Sequence, residues 1–214
     1  WNSSYYMSKT EKNMKYGAVI VAAGISSRMG IFKPLMKIQG VSMIRHVIHT
    51  FQQMGVQEIV VVTGHNAELL EAEVAECNVT CIRNEAYKTT EMFDSVKIGI
   101  NYMIDKCDEA FFTPADVPLF SYRTGKFLQS YSKGDIRIPV CNGRDGHPVL
   151  IRQKFLPQIL SYQGNCGLRG ALEMCGADVS RIDVNDPGVF MDADTRMEFR
   201  ALCMGVQLGI LSAS

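Results

Sequence analysis

The sequence predicts an α/β domain: a mostly parallel central sheet with helices on both faces. Three observations point there. Apolar, β-branched runs such as "YGAVIVA" (16–22) and "EIVVVTG" (58–64) are near-continuous, as strands shielded from water on both sides must be. They alternate with segments whose apolar residues recur at helical spacing. No repeat, low-complexity linker or composition shift divides the 214 residues, so a single domain over 14–214 is expected.

Taken in order, 16–22 is the first strand, followed by a loop and a helix over 42–54 that carries His46 and His49 as structural residues. A second strand, 58–64, leads to a helix over 67–76, where Leu69, Leu70 and Val74 interrupt a run of acids. Residues 79–83 read as a third strand, 94–105 as a helix, 110–113 as a fourth strand and 122–132 as a helix. Farther on, 136–140 and 148–151 flank the turn "CNGRDGH". They read as a hairpin that makes the sheet mixed. Two short helices then precede "VSRIDVNDPGVFMDADT" and a last helix over 195–204. Residues 1–13 are polar and aperiodic and are expected to be a tag or disordered tail.

Composition excludes several function classes. The 22 basic residues equal the 22 acidic ones, so no global field draws the chain to nucleic acid or an anionic membrane. No run approaches the roughly 20 apolar residues of a spanning helix, and no secretory pattern opens the chain, so a cytoplasmic protein is expected. The seven cysteines are scattered and contain no CxxC pair. Reduced, buried thiols follow as the expectation.

The loop after the first strand is the most informative stretch. In "VIVAAGISSRMGIFKPL" (19–35), small residues let the backbone approach a ligand and aim its N–H groups into one concavity, with Arg28 and Lys33 following. An ordinary turn with two solvated cations has the same composition. Two known phosphate motifs do not fit. The dinucleotide motif GxGxxG would need glycine where Ser26 stands, and the P-loop would need glycine and lysine where Met29 and Gly30 stand.

Two distant segments supply acids. "FFTPADVPLF" places Asp116 just past a buried strand, in a loop stiffened by Pro114 and Pro118. A turn aspartate bonding its own backbone is the alternative there. In "GVFMDADT", Asp192 and Asp194 share a side of any extended chain, or else cap the last helix.

Residues 22–33, Ala22-Ala23-Gly24-Ile25-Ser26-Ser27-Arg28-Met29-Gly30-Ile31-Phe32-Lys33, resemble the signature AAGxSxRMGxxK of the MobA-like nucleotidyltransferases, and within them the molybdenum cofactor cytidylyltransferases. The resemblance runs from residue 16 to about 203. It implies a Rossmann-like nucleotidyltransferase fold, with the backbone of Ala22, Ala23 and Gly24 facing the nucleotide and Arg28 and Lys33 holding its triphosphate. Arginine grips phosphate bidentately and lysine acts as a point charge. Ala23, where guanylyl-transferring relatives carry glycine, favours CTP. "TPADVP" resembles the family's GDxP metal motif, with Ala115 for glycine, and "DADTRME" its DxDT(P)xD element, with Arg196 for proline. Asp116 and Asp192 are thereby the implied Mg²⁺ ligands, Asp192 preferred over Asp194.

Further matches imply a base-pocket wall at Thr63-Gly64-His65, a nucleotide loop from Asn84 to Ser95, a contact from His147 of "GHPV" to the acceptor's phosphate or the pyrophosphate edge, and one from Arg169 to the acceptor's phosphate. The loop departs from the family at Glu91, Phe93 and Asp94, where glycine and small residues are usual. The implied activity is Mg²⁺-dependent transfer of a nucleotidyl group from an NTP to a phosphate-bearing, molybdopterin-like acceptor, with transient contact to a molybdoenzyme or its chaperone. A sugar phosphate or other alcohol phosphate as acceptor, and a catalytically weak nucleotide- or cofactor-binding chaperone, are the alternatives. A glycosyltransferase DxD at 192–194 is disfavoured because that motif normally lies mid-chain.

Overall fold

The computed structural model describes residues 14–24, 32–192 and 195–211. The tail 1–13, Arg28 and Asp194 lie outside the described residues. Strand β1 (Tyr16–Val21) is followed by two short strands, β2 (Lys37–Ile38) and β3 (Val41–Ser42), paired antiparallel across a turn with Gln39 and Gly40 at positive φ. Helix α1 (Met43–Gln53), β4 (Glu58–Thr63), α2 (Ala67–Val74), β5 (Thr80–Arg83), α3 (Met92–Met103) and β6 (Glu109–Pro114) complete the first half. The second contains α4 (Tyr122–Ser130), β7 (Ile136–Cys141), β8 (Arg144–Asp145), β9 (Val149–Arg152), α5 (Leu156–Leu160), α6 (Gly167–Met174), β10 (Val179–Asp183) and α7 (Arg196–Gln207).

The main sheet runs β10-β7-β9-β6-β1-β4-β5, with β8 against β7. Strands β5, β4, β1 and β6 are mutually parallel, β9 is antiparallel to both β6 and β7, and β10 is parallel to β7. The reversal of β9 has a geometric consequence. The C-terminal ends of the parallel strands and the start of β9 all open at one sheet edge. Asn142 and Gly143, both at positive φ, form the tight β7–β8 turn that sets this hairpin up.

The period of two along β1 divides its side chains between two cores. Ala18 and Ile20 pack with Val47, Phe51 and Leu70 under α1 and α2, while Val19 and Val21 pack with Ile100, Phe112 and Ile159 on the face covered by α3 and α5. A third cluster joins Ile38, Met43 and Leu119 to Leu202 and Val206 of α7. Buried His46 bonds the Ile38 carbonyl at 3.0 Å, a structural role as expected.

Three details differ from the sequence expectation. Strand β10 was not foreseen, because only Ile182 of Val179–Asp183 is buried and an edge strand of that kind has no apolar run to show. The β2–β3 pair is too short to leave a pattern. Helix α3 starts two residues early because Glu91 caps it: Glu91 and Asp94 form a reciprocal capping box.

Helix α3 lies close to β1 because Gly99 has no side chain; a Cβ there would sit 2.2 Å from Val19 Cγ1. Gly99→Ala is expected to cost about 1–3 kcal/mol in urea unfolding through overpacking, and less in a Val19→Ala background.

Candidate active site

At the shared edge, β1 and β6 run in register to Val21 opposite Pro114, and the chains then separate. The Ala115 N–H donates to the Val21 carbonyl at 2.9 Å, one last link before Asp116. Between the strand ends lies a cleft of about 370 Å³ lined by Ala22, Ala23, Gly24, Lys33, Asn84, Tyr87, Glu91, Ser95 and Asp116, among others. Lys33 begins a short 3₁₀ turn (Lys33–Leu35) with Pro34 behind it. Its side chain is almost wholly buried, and Nζ stands 3.5 Å from Asp116 Oδ2, whose side chain is 27% exposed. A lysine that is buried only when matched by a carboxylate has its charge held at one place. That place is the cleft.

Glycines close the walls. Gly64 follows β4, and a Cβ there would lie 2.8 Å from both the Ala23 carbonyl oxygen and Tyr87 Cβ, so only glycine lets the loops after β1 and β5 meet. Among the described residues, a Cβ on Gly24 would touch nothing within 4 Å. Behind the wall, the His65 ring lies between Phe32 and Tyr87, with centroids 5.8 and 6.0 Å away.

Asn84 and Ser95 act on each other. The buried Asn84 amide donates to Thr90 Oγ1 at 2.9 Å and Ser95 Oγ at 3.0 Å, and its oxygen accepts from the Ala86 N–H. Both amide hydrogens are therefore committed to holding the loop shape. The departures at Glu91 and Asp94 have a local cause as well, since their carboxylates satisfy backbone donors at the start of α3.

The MobA-like NTP transferase domain matches residues 18–181. The chain belongs to that family. The molybdenum cofactor cytidylyltransferase of Escherichia coli is 28% identical over 182 residues, which cover 85% of this chain and 92% of that protein. A nucleotidyl transferase from Methanothermobacter superposes with a TM-score of 0.81 at 22% identity, covering 92% of this chain and 99% of the other. The structure of CMP:2-keto-3-deoxy-manno-octonic acid synthetase complexed with CTP gives 0.70 at 16%, covering 91% and 99%. These two structures share the fold.

Not every anticipated residue of this MobA-like chain reaches the cleft. Thr63 is fully buried and donates to Glu71 Oε1 at 3.2 Å, while Glu71 is held bidentately by Arg83. Its side chain braces β4 against α2 rather than forming a pocket wall. Arg169 is exposed and pairs with Glu173 at 3.2 Å. Asp192 is half-buried and is not among the residues that line the cleft, though its segment is anchored nearby, where the His147 N–H donates to the Val189 carbonyl at 2.6 Å. Helix α7 is capped by Thr195 and Glu198, so Asp192 is not its cap. Tyr87, Thr90 and Met92 line the cleft without having been singled out; Tyr87 and Thr90 are half-buried in an irregular loop and Met92 opens α3, positions that carry no periodic signal.

A neighbouring cavity of about 220 Å³ shares Val21, Glu91, Met92 and Pro114 with the cleft and is otherwise walled by Phe93, Val96, Phe112, Thr113, His147, Gly167 and Leu168. Among the described residues no group of three or more His, Cys, Asp or Glu forms a metal cage. Mg²⁺ asks for less: it takes one or two carboxylates and completes its shell with waters and phosphate oxygens, which fits a cleft offering Asp116.

Burial holds the His147 imidazole below its usual 6.5, against the opposing pull of the Phe112 backbone and the Asp116 charge. A neutral ring meets phosphate only through a hydrogen bond, without charge. The unfolded chain then binds the proton more readily, so this part of the stability is complete above pH 6.5 and is lost as the pH falls below it. Urea unfolding should show stability falling from pH 7 to 5, with a shallower fall in His147→Gln; an identical slope would contradict the assignment.

Proposed function

We propose that the protein transfers a nucleotidyl group from an NTP, with CTP favoured, to the phosphate of a molybdopterin-like acceptor and releases pyrophosphate. The observation that carries this reading is the buried Lys33 set 3.5 Å from Asp116 inside one cleft at the end of β1. An acceptor phosphate oxygen attacks the α-phosphorus, the bond from that phosphorus to the bridging oxygen breaks, and the electron pair leaves with pyrophosphate. No covalent enzyme intermediate is required.

The chain's part is positioning and charge. The backbone of Ala22, Ala23 and Gly24, which lines the cleft, receives the nucleotide, and Lys33, with Arg28 of the same loop, offsets negative charge as it gathers on the leaving group. Asn84 and Ser95 keep the facing loop in shape. Asp116 and Asp192 would hold Mg²⁺, which when bound screens the triphosphate and polarises its oxygens.

Two observations support the finer choices. CTP is favoured by Ala23 and by the cytidylyl activity in the name of the Escherichia coli relative. The adjoining cavity is mostly apolar, with Phe93, Val96, Phe112 and Leu168 in its walls, which suits the faces of a pterin ring system, while Glu91, Thr113 and His147 of the same lining would be the partners for its polar edge.

The test is pyrophosphate release with each of the four triphosphates against molybdopterin and a panel of sugar phosphates. Turnover with CTP and molybdopterin is expected, and Lys33→Ala should lower kcat about 10²- to 10³-fold. Release with a sugar phosphate but not with molybdopterin would reverse the acceptor; wild-type turnover in Lys33→Ala would remove Lys33 from the mechanism.

A further inference from the structure

Asp186 has no part in the chemistry above, yet it is only 9% exposed and forms no ion pair among the described residues. Its carboxylate is satisfied by three protein donors. Oδ2 accepts from the Ser121 N–H at 2.8 Å and the Thr124 hydroxyl at 2.6 Å, and Oδ1 accepts from the Gly188 N–H at 3.1 Å. Such charge-assisted bonds are the strong ones, and a largely buried carboxylate that loses one of them is left under-satisfied.

The donors lie on two segments that matter. Ser121 closes the loop that begins at Asp116 and caps α4, while Gly188 lies in the 3₁₀ turn (Pro187–Val189) that leads to Asp192. The segments also touch directly: a Cβ on Gly188 would stand 2.0 Å from the Leu119 carbonyl oxygen. The far end of the turn is held by the bond from the His147 N–H to the Val189 carbonyl. One carboxylate thus locks the two acid-bearing segments into a single unit, although they are some 65 residues apart in the chain.

We propose that Asp186 is a positioning residue that fixes the span between Asp116 and Asp192 and thereby sets how tightly that pair takes a divalent cation. The inference rests on the reading of Asp116 and Asp192 as the cation's ligands. Asparagine cannot substitute, because all three of the groups that Asp186 meets are donors and an amide would turn its own N–H₂ toward one of them. Metal sites commonly lose 10- to 100-fold in affinity when the groups that orient their ligands are changed.

The experiment is a Mn²⁺ titration followed by electron paramagnetic resonance, on the full chain saturated with a non-hydrolysable CTP analogue. Asp186→Asn should raise the Mn²⁺ Kd about tenfold, and Thr124→Val, which removes one of the three bonds and gives the answer if Asp186→Asn does not fold, about threefold. Ile159→Val, a cavity variant in the core on the opposite face of the sheet, should lower the unfolding midpoint and leave the Mn²⁺ Kd unchanged. Asp116→Asn and Asp192→Asn should abolish tight binding. Wild-type Mn²⁺ affinity in Asp186→Asn or Thr124→Val, with binding lost in the two ligand variants, would overturn the positioning role alone. No Mn²⁺ binding by the wild type, or undiminished binding in the ligand variants, would overturn the carboxylate pair and the inference with it.

Discussion

Lys33 and Asp116 meet where two parallel neighbours, β1 and β6, release their chains from the same sheet edge. Taking an ammonium group out of water is costly, and a carboxylate close by offsets much of that cost without adding to the hydrophobic core. What the pair provides instead is location, a fixed positive charge beside a fixed negative one at the floor of a cleft. The register of β1 on β6, the bond from Ala115 to Val21 and the turn that carries Lys33 all serve to keep the two chain ends at this spacing. In the reaction proposed above, a triphosphate entering such a site would find a cation for its oxygens and an acid for the metal that travels with it.

The mixed sheet extends that arrangement into the second half of the chain. Because β9 runs against its neighbours, its beginning, not its end, arrives at the cleft edge, and His147 comes with it. Strand β10 is parallel to β7 and delivers the segment from Asp186 to Asp192 to the same edge. The Asp186 carboxylate and the glycine contact at Leu119 then join that segment to the Asp116 loop. The Asp116 loop, His147 and the segment from Asp186 to Asp192 therefore converge from elements far apart in the chain through strand direction.

Much of this was legible in the sequence, for identifiable reasons. Strands buried on both faces write themselves as unbroken apolar runs, so β1, β4 and β6 could be placed, and with them the loops that carry Ala22, Ala23, Gly24, Lys33 and Asp116; Asn84 and Ser95, which line the same cleft, came from the family resemblance alone. Strand β10 is half-exposed at a sheet edge and left no such run. Thr63 illustrates a finer limit. It ends β4 at the ligand edge, but the pleat turns its hydroxyl toward Glu71, and which way the last residue of a strand faces depends on one step of register. Asp186 was invisible because two of its three donors stand 62 and 65 residues earlier, and no local pattern records a bond across that distance.

The most direct test of the central claim is a crystal structure of the protein with Mg²⁺ and a non-hydrolysable CTP analogue. The account predicts the triphosphate in the cleft with its terminal oxygens on Lys33 and the cation between it and Asp116. A nucleotide seated elsewhere, or a triphosphate turned away from Lys33 with Lys33 still paired to Asp116, would contradict it.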